Sequence, residues 1–276
     1  MLRTRVISAI VLVLILGTGL YVGGLLWWVL LLFISLVGYR EYCTAIFSGE
    51  DPGDMGTVTD KKVRNPAVPE VMGYILAILY YVFIMVKPYG VYMLYAMTGS
   101  VILFMCIFVL LYPRYNSAVI MQFYFGLLYI PFMISFLYML RIRDKGLIEV
   151  VFVVISSWIC DTFAYFTGRL LGRHKLAPVL SPKKSVEGAV GGAVFSGIFG
   201  GLLAFIIHDS IPIYALVTFI GAIISQFGDL FASGIKRDKG IKDYGHLIPG
   251  HGGILDRFDS VIITAPVIYI LCNTLL

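Results

Sequence analysis

Two aspartates near the C-terminus, Asp256 and Asp259, are spaced so that they could bind a metal ion. Residues at positions i and i+3 of a helix project from one face. Paired carboxylates supply the oxygen ligands that Mg²⁺ prefers and leave coordination positions for water and phosphate. The sequence His251-Gly252-Gly253 precedes them, and glycines let a backbone approach a ligand closely. The pattern predicts a divalent-metal site; the alternative is that these are helix N-terminal charges favoured by the dipole.

Two further carboxylates, Asp161 and Asp229, lie inside long apolar runs. An ionised carboxylate at membrane depth costs at least about 2.5–3.5 kcal/mol, and such residues are functional by default. Gln226 lies one turn before Asp229 and indicates a polar pocket on the same helix. The alternative for Asp161 is an ion pair with a nearby arginine that only fixes helix packing.

Basic residues in a second segment, RHKLAPVLSPKKSVEGAVGG, complement these acids. Ser181 and Pro182 are followed by Lys183 and Lys184 and then by a glycine-rich helix start, a pattern that predicts a phosphate site made of backbone N–H groups and ammonium charge. Arg173 and Lys175 could equally be topological anchors, an alternative that fits Lys183 and Lys184 less well because they lie directly before the helix start. Acids for a metal and bases for phosphate indicate phosphoryl or nucleotidyl transfer.

These residues belong to a chain with the composition of an integral membrane protein. It has 276 residues, 59% hydrophobic and 13% charged, and its mean hydropathy is +0.92. A soluble globular chain carries about 25% charged residues. Since about 20 consecutive apolar residues span a bilayer, we predict an all-α polytopic protein with about nine transmembrane helices. The expected spans are 6–22, 25–47, 71–86, 91–112, 119–140, 147–171, 188–207, 212–234 and 258–276.

The basic residues predict how these spans are oriented. With a cytoplasmic N-terminus, 17 of the 21 Lys and Arg residues fall on the cytoplasmic side, as the positive-inside rule requires. The long segments 48–70, 172–187 and 235–257 are then cytoplasmic, and the site is expected there. We expect residues 1–146 to form a transmembrane scaffold for lipid and oligomer contacts, and residues 147–276 to form the catalytic transmembrane domain.

The predicted threading also brings three carboxylates together. Asp229 comes from the span that precedes Asp256 and Asp259, and its cytoplasmic end must lie beside the same loop. Three carboxylates at one place repel one another unless a cation lies between them. We therefore predict that Asp229, Asp256 and Asp259 share at least one divalent ion.

Three segments carry a resemblance to a known family. They are SGIKRDKGIKDYGHLIPGHGGILDRFD from Ser233, WICDTFAYFTGRLLG from Trp158, and SPKKSVEG from Ser181. The first resembles the signature of the phosphatidate cytidylyltransferases (CDP-diacylglycerol synthases) without a gap, and the other two are also similar to that family. The resemblance covers most of the chain from about residue 158 onward.

The resemblance implies a reaction and its partners. The phosphate of phosphatidic acid attacks the α-phosphorus of CTP and gives CDP-diacylglycerol and pyrophosphate. It also implies a divalent metal, usually Mg²⁺, and a homodimer; a second or a monovalent ion is allowed. We further expect the protein in the cell inner membrane with its active site on the cytoplasmic side, and no nucleic-acid partner. The expected catalytic residues are Asp229, Lys236, Arg237, His251, Asp256, Arg257 and Asp259. The expected substrate-binding residues are Asp161, Arg169, Ser181, Lys183, Lys184, Gln226, Lys242, Gly252 and Gly253.

Three other functions share part of this pattern. CDP-alcohol phosphotransferases also have a D-x-x-D cluster, but they carry Gly after the second Asp, where this chain has Ser260. An ion-coupled transporter could use Asp161 and Asp229 as ion ligands, although the sequence shows no inverted repeat. A CTP-dependent lipid kinase would handle the same nucleotide, but it would release CDP instead of pyrophosphate.

Overall fold

The computed structural model describes residues 2–47, 67–87 and 91–276, with only the backbone of residues 2–6. Nine helices form within these ranges. Eight of them are long and apolar enough to cross a membrane, and the described apolar part of the first, Ile7–Val22, is shorter. The prediction of an all-α polytopic membrane protein is confirmed. Most of the predicted connector at 48–70 lies outside the described residues.

The helices follow the predicted spans with shifts of a few residues. In chain order they are α1 (Leu2–Val22), α2 (Gly24–Ile46), α3 (Val68–Val86), α4 (Val91–Leu111), α5 (Ser117–Arg141), α6 (Gly146–Leu171), α7 (Val186–Ile206), α8 (Ile211–Asp238) and α9 (Leu255–Leu275). Two of the differences concern the predicted site. Helix α8 continues past Lys236 and Arg237, and α9 begins before Asp256, so these three residues are helical.

Capping side chains fix where two of the helices begin. The Asn116 side chain accepts a hydrogen bond from the Val119 N–H at the start of α5, at 2.9 Å. Ser185 accepts one from the Gly188 N–H at the start of α7, at 3.2 Å. Each contact satisfies a backbone donor of the first turn that has no partner inside the helix.

Two helices contain a π-helical turn. In α5 the turn spans Leu128–Phe132 and includes Pro131, whose nitrogen has no hydrogen to donate to the helix. In α6 the turn spans Ile155–Ile159 and ends just before Cys160 and Asp161. Because a π turn holds more residues than an α turn, it changes the face of α6 on which Asp161 lies.

Glycines let α7 pack closely between α6 and α8. A Cβ atom on Gly188 would lie only 2.6 Å from the carbonyl oxygen of Ala164 on α6. Further along α7, a Cβ atom on Gly197 would lie 3.3 Å from the carbonyl oxygen of Ala215 on α8. Small residues spaced in this way are typical of close helix contacts in membranes. They hold α7 close to both α6 and α8.

The segment between α6 and α7 folds as a small β hairpin, where the sequence predicted only a cytoplasmic loop. Strands β1 (Lys175–Ala177) and β2 (Ser181–Ser185) pair antiparallel. Neither strand has the apolar–polar alternation that identifies a half-buried strand in a sequence. Glu187 at the start of α7 accepts hydrogen bonds from the N–H groups of Arg173 and His174, at 3.0 and 3.2 Å. These bonds attach the hairpin to α7.

Contacts between loops and helix ends define two opposite ends of the bundle. At the site end, which includes the loop 239–254, Ser8 near the start of α1 donates to the carbonyl oxygen of Pro249 at 3.1 Å. At the far end, Arg141 at the end of α5 donates to the carbonyl oxygen of Leu20 near the end of α1, at 2.8 Å. These contacts agree with the predicted threading, in which successive helices run in alternating directions between the two ends. Which end faces the cytoplasm stays a prediction.

Candidate active site

Three aspartates from α6, α8 and α9 lie near one another at the site end. Helices α8 and α9 cross closely at Gly228, where an added Cβ atom would lie 2.9 Å from the carbonyl oxygen of Asp259. This crossing places Asp229, the next residue of α8, beside α9. Asp161 of α6 interacts electrostatically with both aspartates. Helix packing therefore concentrates negative charge from three separate segments.

A basic cavity of about 410 Å³ has Asp161 in its wall. Its walls come from α6, the β hairpin, α7 and α8, and Arg169, Lys183 and Lys184 supply its positive charge. The ammonium group of Lys184 forms an ion pair with Asp229. Predicted substrate-binding residues in the wall are Asp161, Arg169, Ser181, Lys183, Lys184 and Gln226. The arrangement suits a compound with several phosphate groups.

A second cavity, of about 270 Å³, also has Asp161 in its wall. Four predicted catalytic residues line it, namely His251, Asp256, Arg257 and Asp259. Nδ1 of His251 lies 3.0 Å from the hydroxyl oxygen of Ser8, so α1 contributes to the wall. Asp161 lines both cavities, and it forms no hydrogen bond or ion pair within the described residues. It is the junction between a basic and an acidic compartment.

Both carboxylate oxygens of Asp256 accept hydrogen bonds from the protein itself. The residue is 8% exposed, and its Oδ1 accepts a hydrogen bond from the ammonium group of Lys236 at 2.9 Å. Its Oδ2 accepts from the N–H groups of Tyr244 at 2.8 Å and Gly253 at 2.9 Å. Gly252 has a φ of 84°, and an added Cβ atom would lie 2.8 Å from the same oxygen. These glycines therefore approach a carboxylate of the protein, and their role in substrate binding stays a prediction.

Tyr244 anchors the loop 239–254 to the end of α8. Its hydroxyl donates to the carbonyl oxygen of Ala232 at 3.0 Å, and its ring lies 5.3 Å from the ammonium group of Lys236. Burial raises the pKa of the Tyr244 hydroxyl well above its ordinary value, so the group stays protonated and remains a donor. The loop that carries the signature sequence is thus fixed from both sides.

Several predicted site residues have other surroundings. Arg237 and Lys242 are exposed and line neither cavity of the described structure. Lys236 points to Asp256, as described above. The side-chain amide of Gln226 lies in the basic cavity but donates to the carbonyl oxygen of Ala189 at 3.1 Å. It therefore links α8 to α7, in addition to its predicted contact with substrate.

Sequence reasoning missed two residues of the N-terminal half that reach this region. The Glu41 carboxylate, at the end of α2, accepts hydrogen bonds from the backbone at Ile254 and Leu255. The buried Tyr129 hydroxyl in the π turn of α5 has no hydrogen-bond partner within the described residues, and it interacts electrostatically with Asp259 and Asp229. A signal for Glu41 was present, because it is a carboxylate inside a predicted span, as Asp161 is.

The donor chemistry of the aspartates fits a magnesium ion that is shared with a substrate. Within the described residues, no group of three or more His, Cys, Asp or Glu side chains forms a ready-made metal cage. Mg²⁺ usually needs only one or two carboxylates, because substrate phosphates and water complete its octahedron. Asp161, Asp229 and Asp259 repel one another and would gain from a cation. The metal role of Asp229, Asp256 and Asp259 stays a prediction.

A comparison with known families identifies the chain at the level of its family. Residues 3–275 match the model of the cytidylyltransferase family, which is almost the whole sequence. The chain belongs to the cytidylyltransferase family. This assignment agrees with a site that combines a basic cavity with a cluster of carboxylates, since cytidylyl transfer moves a phosphate-linked group.

Similar members of the cytidylyltransferase family carry a more specific name. The phosphatidate cytidylyltransferase of Staphylococcus haemolyticus is 41% identical over 140 residues, which are 50% of this chain and 54% of that protein. The protein of the same name from Thermotoga maritima is 36% identical over 170 residues, 59% of this chain and 63% of the relative. The matched part of the chain thus spans between about half and two thirds of the length of these relatives.

Proposed function

We propose that the chain is a phosphatidate cytidylyltransferase, a nucleotidyltransferase that forms CDP-diacylglycerol and pyrophosphate from CTP and phosphatidic acid. The family match, the names of the relatives and the signature sequence support the choice of substrates. The single structural observation that carries the proposal is the junction of a basic and an acidic cavity at Asp161. Transfer between two phosphate compounds needs cationic groups and metal-binding carboxylates side by side.

The basic cavity is the proposed site of the CTP triphosphate. Lys183, Lys184 and Arg169 supply positive charge there. Lys184 is paired with Asp229 in the free protein, so an entering phosphate oxygen would replace this carboxylate as its partner. The exchange makes the ammonium group available to the departing pyrophosphate, where negative charge accumulates in the transition state.

The second cavity is the proposed site of the phosphatidic acid headgroup. His251 and Arg257 provide partners for its phosphate, and the apolar residues Leu12 and Val13 of α1 line the same cavity. A lipid whose headgroup lies there can keep its acyl chains beside α1 in the membrane. Asp161 then lies between the nucleophile and the nucleotide.

The proposed reaction is a displacement at phosphorus. An oxygen of the phosphatidic acid phosphate forms a bond to the α-phosphorus of CTP. The bond between this phosphorus and the oxygen that bridges to the β-phosphorus breaks, and pyrophosphate leaves with the electron pair. The protein contributes orientation and electrostatic stabilisation, which are the main sources of catalysis in such transfers.

Asp229 and Asp259 are the proposed ligands of a divalent ion, expected to be Mg²⁺, with Asp161 close by. The ion would neutralise charge on the phosphates that approach one another. Asp256 could join only by exchanging a hydrogen bond from Lys236 or from the loop backbone. A second or a monovalent ion also remains part of the proposal.

The test is an assay of the purified protein in detergent micelles with CTP, phosphatidic acid and Mg²⁺. We expect release of pyrophosphate together with CDP-diacylglycerol, and loss of both when the metal is chelated. Release of CDP with a phosphorylated lipid would support a CTP-dependent lipid kinase instead. Absence of CTP binding and of any product would contradict the proposal.

The remaining proposals concern the setting of the enzyme. We place the protein in the cell inner membrane as a homodimer, with its site end in the cytoplasm. Reporter fusions after Lys184 should then be read as cytoplasmic, and fusions after Lys87 or Asp209 as external. Light scattering of the detergent-solubilised protein should give the mass of two chains. A cytoplasmic C-terminus would contradict the orientation.

A further inference from the structure

A buried carboxylate on α2 contacts the backbone that carries the predicted catalytic aspartates. Glu41 is 8% exposed and forms no ion pair within the described residues. Its Oε1 accepts a hydrogen bond from the Ile254 N–H at 3.0 Å, and its Oε2 accepts one from the Leu255 N–H at 2.8 Å. A carboxylate inside a membrane span is costly unless it has partners and a function. The partners are backbone groups more than two hundred residues away in sequence.

The position of this contact explains why a carboxylate is present. The two N–H groups lie where α9 begins, and the first N–H groups of a helix have no acceptor inside it. A carboxylate satisfies them through charge-assisted hydrogen bonds and is favoured at the positive end of the helix dipole. Glu41 therefore caps α9 from another helix.

Two glycines of the surrounding loop leave the space that this carboxylate occupies. A Cβ atom on Gly245 or on Gly253 would lie 2.4 Å from a carboxylate oxygen of Glu41. Larger residues at either position would push the carboxylate away from α9. The Gly253 N–H, in turn, is bound by Asp256. Glu41 and Asp256 thus hold three consecutive N–H groups, those of residues 253–255, from two sides.

We propose that Glu41 is a positioning residue of the active site, and this inference rests on the proposed function. It fixes the first turn of α9 and thereby the locations of Arg257 and Asp259 relative to Asp161. Glu41 itself lines neither cavity of the described structure, so it acts through α9 and does not touch the substrate. The N-terminal half, predicted to be a scaffold, then contributes directly to the geometry of the site.

The test compares Glu41→Gln and Glu41→Ala with the wild-type protein in detergent. Gln keeps the length and one acceptor oxygen, whereas Ala removes both acceptors. We expect kcat for cytidylyl transfer to fall about 10–100-fold in the Ala variant, the usual range when a supporting residue is lost, and to fall less in the Gln variant. KM for CTP should change by less than kcat, because the basic cavity is untouched.

Hydrogen exchange measured by mass spectrometry gives a second readout that does not depend on activity. In both variants, the amides of residues 253–259 should exchange faster, while those of α7 should not. Glu149→Gln is the matched control, since Glu149 is also a buried carboxylate of a membrane span but pairs with Arg143 at the far end. This variant should keep wild-type kcat and wild-type exchange at residues 253–259.

The outcomes separate this inference from the proposed function. If the wild-type protein transfers no cytidylyl group, the proposed function fails, and the exchange data still decide whether Glu41 holds α9. Wild-type kcat in Glu41→Ala, or a loss of kcat without faster exchange at residues 253–259, would overturn the positioning role. If neither Glu41 variant folds, Gly245→Ala tests the same contact with the carboxylate retained. Wild-type kcat and wild-type exchange at residues 253–259 in Gly245→Ala would also overturn the positioning role.

Discussion

The two ends of the bundle use charged residues differently. At the far end, Arg143 pairs with Glu149 at 2.7 Å, and Lys145 pairs with Asp209. Arg141 completes this set by donating to backbone carbonyl oxygens at the end of α1. At the site end, Asp161 has no such partner in the described structure and faces two cavities.

The difference indicates how structural charges can be told from chemical ones in a membrane protein. Charges that only hold turns together neutralise one another locally, because an unpaired ion near lipid is unfavourable. Charges that handle a substrate must keep a face towards a cavity, even at a cost to stability. Lys184 combines both features, since it lines the basic cavity and is paired with Asp229.

The largest expected effect is that of Asp259→Asn at the site end. The change keeps the size of the side chain but removes a proposed metal ligand. We expect turnover to fall about 1000-fold, as for removal of a group that stabilises the transition state directly. Pyrophosphate release measures it, and elution as the wild-type oligomer verifies folding. Normal turnover of this variant at low Mg²⁺ would falsify the assignment of Asp259.

A smaller loss is expected for Asp161→Asn. This residue joins the two cavities, and the proposed metal ligands are its neighbours, so its charge supports the site without being its main ligand. We expect turnover to fall about 10–100-fold. The half-saturating Mg²⁺ concentration should rise in the same titration. A variant that loses stability but keeps turnover per folded molecule would place Asp161 with the structural charges of the far end.

Lys184→Ala and Lys145→Ala compare the two ends directly. Loss of one charged contact to a phosphate should raise KM for CTP about tenfold or more in Lys184→Ala. Lys145→Ala also removes a cation that is paired with an aspartate, although its side chain is 51% exposed against 26% for Lys184. Its partner is Asp209 at the far end, so KM should not change. Steady-state kinetics at saturating phosphatidic acid measure both. Equal effects of the two variants would remove the distinction between the ends.

The smallest expected effect concerns stability at low pH. Hydrogen bonds from Lys145 and then from Tyr214 lower the pKa of Asp209 to about 2, whereas an unfolded aspartate has a pKa near ~3.9. The stabilisation is therefore complete above ~pH 4 and is lost as the pH falls towards 2. Thermal unfolding in detergent between pH 6 and 2 should show a steeper decline for the wild type than for Asp209→Asn. Identical slopes would contradict the pairing.

Much of the fold could be predicted from the sequence because the signals are local. A membrane span requires one uninterrupted apolar run, so hydropathy located the nine helices to within a few residues. The spacing of Asp256 and Asp259 and the Ser-Pro-Lys-Lys segment are likewise local, and both line a cavity in the structure. The division of the chain at residues 146 and 147 stays a prediction, and Glu41 makes contacts across it.

What the sequence determined by itself is therefore the class of protein, the order of its helices and the residue types available for chemistry. Only the tertiary structure decided which charges face each other. Lys184 meets Asp229, Lys236 meets Asp256, and Glu41 meets the start of α9. These pairings depend on how each helix is rotated and how closely glycines let it approach its neighbour. No local pattern records those quantities, because they are set by packing between segments that are far apart in the chain.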